Sequence, residues 1–228
     1  MSVNVKSDAE IDGIRKSCRL LKCLFEELDS YMKEGRSTKG IDIFCYDFIT
    51  KHGGKPAFLN YQGFPGSACV SINEEVIHGI PSAKRIIEEG DLVTVDLGIN
   101  LNGFFSDSAH TYEIGKVQER VHQLNVTTRE ALYKGIDAIS DTMGSTRVSD
   151  ISRAIYDYVR KKNYGVVRDF CGHGVGLAVH EDPMIPNYVS SNVRIKPGFV
   201  IAIEPMITLG KGDVRILPNK WTVVTKDK

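Results

Sequence analysis

Residues Val93 to Gly115 read "VTVDLGINLNGFFSDSAHTYEIG", two arms of strand-forming residues that meet at Asn102-Gly103. Both turn positions accept positive φ, so the pair closes a two-residue hairpin. Each arm carries one aspartate, Asp96 or Asp107, among apolar neighbours. With the turn at Asn102-Gly103, Asp96 faces Ala109 and Asp107 is its diagonal neighbour. With the turn one residue earlier, Asp96 faces Asp107 directly. Side chains alternate with period two, so either register puts both carboxylates on one face. Facing Cβ atoms lie roughly 5 Å apart in such pairs. Two bare carboxylates at that distance repel, and one must take up a proton unless a divalent cation stands between them. Two-metal hydrolases space their ions at about 3.5–4 Å, which suits one bridging and one chelating carboxylate. A solvated hairpin with both aspartates facing water stays open as the plain alternative. Val95 and Leu97 make one face apolar, and the polar face need not be dry.

Outward from the hairpin, the pattern is helical before it and again after it. "SDAE" (Ser7 to Glu10) fits a capping box, and Ile11, Ile14, Cys18, Leu21, Phe25, Leu28 and Met32 follow at helical spacing up to a stop at Gly35. A second helix is predicted over Lys39 to His52. Strands follow at "ACVSI", "LVTVDLG" and "FFSDSAHTY". The order then recurs: helices near Glu119 to Asp141 and Ser149 to Lys162, then strands at "GVVRDF" and "GFVIAIEP". Two helices followed by sheet, twice, predict an α+β fold of two similar halves, roughly 1–115 and 116–228, within one domain. The repeat is one of element order, with no residue-level repeat.

The 228 residues can bury a sizeable core. With 29 basic and 29 acidic residues the net charge is zero, which argues against bulk nucleic-acid or membrane-surface binding. Five scattered cysteines without CxxC or disulfide spacing point to a reducing compartment. The N-terminus lacks the basic-then-apolar form of a signal peptide, and "FVIAI" is too short to cross a bilayer. The expectation is a soluble cytoplasmic protein.

"CGHGVGLAVHEDP" places His173 and His180 in a segment with Gly172, Gly174 and Gly176, where backbone can approach a ligand closely. Two histidines in one such segment are as readily ligands as core residues. Glu204 ends the apolar run "VIAIEP", and a buried glutamate is costly unless paired or metal-bound; an exposed strand end is the bland alternative. His78, in "EEVIHGIP", taken alone reads as a core histidine. Asp96, Asp107, His173 and Glu204 together make an oxygen-and-imidazole set without thiolate, suited to Mn, Fe, Co or Zn in a hydrolytic site. No GxSxG elbow, Walker loop or dinucleotide fingerprint competes with it.

In these segments the sequence resembles the type I methionine aminopeptidases. "ACVSINEEVIHGIP", "VDLGINLNGFFSDSAHTYEIG", "CGHGVGLAVHEDP", "VIAIEPM" and "WTVVTKD" stand in family order and spacing from about Ser7 onward. The resemblance implies the pseudo-twofold "pita-bread" fold around a curved antiparallel sheet. It implies two divalent metal ions, with Asp96 chelating one, Asp107 bridging both, and His173 and Glu204 completing the coordination. His78 and His180 would contact substrate and steady the tetrahedral intermediate. Tyr61, Phe64, Cys69 and Trp221 would form the methionine pocket, although core packing is about as natural for any single one. The implied reaction removes N-terminal methionine from nascent proteins with a small second residue. In it a metal-activated hydroxide attacks the first peptide bond and Glu204 takes the proton. The implied partners are nascent N-termini at the ribosome; the chain would be a monomer without nucleic-acid or membrane partners.

Three departures from the family pattern stand out. Val179 replaces an aromatic found in many relatives, and Phe58 a cysteine found in some. The family also has a last strand, expected beside Trp221 to Thr225, whose glutamate bridges both metals. This chain ends at "TKDK" before that strand, and after Glu204 its only acids are Asp213 and Asp227. The expectation is one metal bound normally and an impaired second site. Two other readings stay open: an X-Pro aminopeptidase of the same fold, which usually carries an added N-terminal domain, and a catalytically impaired pita-bread binding protein.

Overall fold

A computed structural model describes residues 3–139 and 145–227. Two helices, α1 (Asp8–Tyr31) and α2 (Thr38–Lys51), lead into strands β1 (Lys55–Pro56), β2 (Ala68–Ile72) and β3 (Glu75–Ile77). The long hairpin follows as β4 (Leu92–Leu101) and β5 (Phe104–Glu113). Next come α3 (Glu119–Asp137) and α4 (Val148–Lys161), then β6 (Gly165–Val166), β7 (Gly172–Gly174), β8 (Glu181–Ile185) and β9 (Ile201–Ala202). Three short strands close the order: β10 (Ile207–Thr208), β11 (Val214–Ile216) and β12 (Val223–Thr225).

The first helix starts where its capping residues say it should. Glu10 Oε2 accepts from Ser7 N at 2.7 Å, and Ser7 Oγ accepts from Glu10 N. Its apolar stripe buries Ile14, Leu21, Leu24, Phe25 and Leu28. Cys18 departs from the expected stripe and is exposed, on the rim of a hollow that it lines with Phe25 and His110. The helix ends at Tyr31, ahead of Gly35, which serves the following turn at φ +80°. The third helix runs to Asp137; the last two positions expected in it, Ser140 and Asp141, lie outside the described residues.

The hairpin takes the register set by Asn102-Gly103, whose φ values are 56° and 89°. Leu101 pairs with Phe104, Asp96 with Ala109, and Gly98 with Asp107. Val93, Val95, Leu97 and Ile99 point at α1 and α2 and are fully buried. Asp96 therefore lies on the other face of β4. On β5, Ser106 faces the helices and meets Ser17 Oγ at 2.8 Å, so Asp107 shares the face of Asp96. A second apolar cluster, built from Ala131, Val148, Ile151, Ile155, Val159 and Ile185, packs α3 and α4 onto the later strands.

Three expectations about strands need correction. Within "GVVRDF" only Gly165–Val166 forms a ladder, because its partner β10 is two residues long. Within "GFVIAIEP" only Ile201–Ala202 does, against β7. Nor is Trp221 to Thr225 left short of a neighbour, since β12 pairs with β11 on one side and β3 on the other. Among the described residues the outer edge of β5 also carries no strand; there Phe105 N donates to Gly176 O at 2.7 Å.

Candidate metal centre

The floor of the site is a row of paired residues. Cys69 on β2 stands opposite Asp96 on β4, which stands opposite Ala109 on β5; Asp107 is the diagonal neighbour. The solvated-hairpin alternative fails here, because only 9% of the Asp107 side chain is exposed and Asp96, on the same face, is partly buried. Burial raises the pKa of both carboxyls, and the charges of Asp96 and Glu204 push Asp107 further up.

His173 comes from β7, threaded between β8 and β9. Its flanking residues must be glycine: a Cβ on Gly172 would lie 2.2 Å from Ala202 O, and one on Gly174 would lie 2.4 Å from Asp182 O. The imidazole Nδ1 bonds the Gly174 carbonyl at 2.8 Å. A carbonyl can only accept, so Nδ1 carries the proton and Nε2 is left as a lone pair. Burial lowers the ring's pKa and keeps it neutral. Nε2 faces Glu204 Oε1 at 3.2 Å and Asp107 Oδ2 at 3.6 Å.

Glu204 follows β9. Its main-chain carbonyl accepts from Asn187 Nδ2 at 2.7 Å. The side chain is partly exposed, but Oε1 is sealed from solvent and has no hydrogen-bond partner. Burial, then the charge of Asp96, raises its pKa.

Three atoms that ordinarily accept thus face one another, and a donor arises among them only if one of the two carboxyls takes up a proton. That is a poor arrangement for a dry core and a good one for a cation. The donor set fits a divalent ion on both counts, chemistry and the orphaned Oε1. Among the described residues no three His, Cys, Asp or Glu side chains have closed onto a single point; the four donors line a cleft rather than a finished cage.

Beside them lies a third apolar cluster. Phe58, Phe64, Cys69 and Val179 are buried in it, with Tyr61, Phe105 and Trp221 packed around. The four residues expected to form a pocket are all there, and so are the two departures, Val179 and Phe58. Trp221 stands edge-on to Phe64 with centroids 5.2 Å apart. His78, at φ 57°, lies between Trp221 and Phe170. His180 stacks on Tyr61, bonds its hydroxyl through Nδ1 at 3.0 Å, and approaches His173 to 4.1 Å between ring centroids. One face of His180 opens to solvent. Burial of the other face and the imidazoles of His173 and His78 lower its pKa to about 4, so it is neutral near pH 7. A separate hollow of about 350 Å³ runs between α1 and the free edge of β5, past Cys18, Phe25 and Asp107.

Phe170 and Asn187 are the site neighbours that sequence reasoning did not find. Neither carries a local signal, since each acts through a contact that only the tertiary fold creates.

Known proteins share this architecture. The profile of "Metallopeptidase family M24" matches residues 12–220. A methionine aminopeptidase of Treponema pallidum is 50% identical over 229 residues, covering 99% of this chain and 88% of that protein. The crystal structure of methionine aminopeptidase from Rickettsia prowazekii superposes with a TM-score of 0.95 at 34% identity, covering 99% of this chain and 91% of the other. The prolidase from Pyrococcus furiosus is more distant: TM-score 0.72, 26% identity, and 60% of its chain covered against 96% of this one.

Proposed function

This chain belongs to metallopeptidase family M24, and within it to the methionine aminopeptidases; from that premise we propose how its residues release an N-terminal methionine. Asp96, Asp107, His173 and Glu204 would hold divalent metal. When bound, such ions lower the pKa of water and polarise a carbonyl. The four donors would complete one ion's coordination, and a second would share what they leave over. Cobalt, manganese, iron and zinc all suit the set.

Glu204 has the placement of a proton acceptor: its carboxyl opens on the cleft, and burial makes it more basic than an ordinary carboxylate. His78 and His180, both neutral, would contact the scissile peptide from two sides of the cleft and steady charge on its oxygen. Tyr61, Phe64, Cys69 and Trp221, with Phe58 and Val179, would enclose the methionine side chain. The two halves of the chain would meet at this cleft as one catalytic domain. Substrates would be nascent polypeptides met at the ribosome, in the cytoplasm, by a monomer. Five free thiols agree with a reducing compartment, and among the described residues no helix is long and apolar enough to cross a membrane.

The observation that carries this reading is the meeting of His173 Nε2, Asp107 Oδ2 and Glu204 Oε1. A paired assay tests it against the prolidase-like alternative. With Mn²⁺ or Co²⁺ present, Met-Ala-Ser should lose methionine, while an X-Pro peptide stays intact. Faster cleavage of the X-Pro peptide would sink the reading.

A further inference from the structure

His180 reaches the cleft from the loop between β7 and β8, and that loop is fastened from beneath by an ion pair. Lys6 Nζ meets Glu181 Oε2 at 2.7 Å, with only 1% and 6% of the two side chains exposed. The partners are 175 residues apart in sequence, so the contact ties the N-terminal segment to the residue immediately after His180. The other carboxylate oxygen of Glu181 folds back on its own loop and accepts from Leu177 N at 2.6 Å and Ala178 N at 3.0 Å. Lys6 is held in turn: its main-chain N donates to Gly198 O at 2.8 Å, and its Nζ also donates to Asn4 O at 3.2 Å.

One carboxylate therefore sets the course of residues 177–180, and one ammonium neutralises it. Removing one partner of a buried ion pair leaves an uncompensated charge and is strongly destabilising, so replacing Lys6 by an apolar residue should drive the loop off this path. At the loop's far end the imidazole of His180 must stay against both Tyr61 and His173.

We propose that Lys6 is a positioning residue for the methionine-releasing site: its buried pair with Glu181 holds the 177–180 loop so that His180 faces the scissile peptide. This rests on the function proposed above for His180, but not on any contact between Lys6 and substrate.

The test uses the full chain with Lys6→Met, Lys6→Arg and the double variant Lys6→Met/Glu181→Met. For Lys6→Met, kcat on Met-Ala-Ser should fall about 10-fold or more with KM little changed, the pattern of a misplaced group rather than a lost binding contact. Lys6→Arg should recover most of that loss. Histidine ring NMR of the metal-free protein supplies a readout independent of turnover. Lys6→Met should lose the signature of the His180 Nδ1 bond to Tyr61 and keep that of His173 Nδ1 to Gly174. Should Lys6→Met not fold, the double variant decides, since buried ion pairs tolerate joint replacement by apolar residues. It should fold yet keep low kcat and shifted His180 signals, because Leu177 and Ala178 N–H have lost their acceptor. Wild-type kcat with unmoved His180 signals, in Lys6→Met or in the double variant, would overturn the proposal. An inactive wild-type protein would instead count against the function proposed above and leave the NMR comparison standing.

Discussion

His173 Nε2 stands 3.2 Å from Glu204 Oε1, and the two atoms form no hydrogen bond. The ring's proton is committed to Gly174 O on the other side, so Nε2 keeps a lone pair turned toward the carboxyl, a pairing that a divalent ion would relieve.

Divalent metal should therefore stabilise the fold. At a free Mn²⁺ concentration of about 100 times Kd, the gain is about 2.7 kcal/mol, seen as a rise in Tm by scanning fluorimetry. Asp107→Asn should lose most of that rise while folding in the metal-free form. An equal rise in Asp107→Asn would place the metal elsewhere.

Gly172 and Gly174 let three strands crowd around His173. Adding the 2.2 Å contact with Ala202 O through Gly172→Ala forces backbone apart, and should cost about 3 kcal/mol in urea denaturation. The same variant should weaken metal binding, because His173 moves with β7. Unchanged stability would mean that β9 yields more easily than its pairing suggests.

Trp221 is only partly buried and closes the apolar cluster against Phe64 and His78. Trp221→Ala should raise KM for Met-Ala-Ser about 10-fold, in line with loss of apolar surface from a side-chain pocket, with a smaller change in Tm. Phe64, almost wholly buried, should behave differently: Phe64→Ala should cost about 3–5 kcal/mol of stability. A KM effect in neither variant would remove the cluster from substrate recognition.

The start of α3 is tied to the end of β5 by His122 Nδ1 and Glu113 Oε2 at 3.0 Å. The hydrogen bond and charge of Glu113 raise the pKa of His122. That contribution is present below the unfolded histidine value and fades as pH rises through the folded one. For Glu113, burial acts upward, but hydrogen bonds from Asn125 and His122 outweigh it and lower the pKa. Its contribution is present above the unfolded glutamate value and fades as pH falls through the folded one. The tie should therefore stabilise most in the window between the two. Comparing denaturation midpoints of wild type and Glu113→Gln across pH 4 to 8 should show the largest gap inside that window. A gap that does not vary with pH would show that charge plays no part.

The sequence made the hairpin legible because two simple rules act on it at once. Asn102-Gly103 pins the register and strand alternation pins the face, so Asp96 and Asp107 could be placed together before any coordinates. His173 sits on a three-residue strand with no periodicity of its own, so the glycines around it marked it only as an even choice between ligand and core residue, and the resemblance to a family supplied its role. Cys18 fits the helical stripe but lines an open hollow beside β5, which spacing alone cannot reveal. In the second half the apolar runs are longer than the strands they contain, because a strand is only as long as its partner and β10 is two residues long. Lys6 and Glu181 left no trace, since nothing local distinguishes a lysine bound for a buried pair from one bound for solvent.

The central claim is that Asp96, Asp107, His173 and Glu204 hold the metal that makes this chain release methionine. The most direct measurement strips the protein of metal, titrates Mn²⁺ back, and follows free methionine from Met-Ala-Ser. The account predicts no release without metal, release that saturates with bound Mn²⁺, and none at any concentration in Asp107→Asn. Release from the stripped protein, or undiminished release from Asp107→Asn, would contradict it.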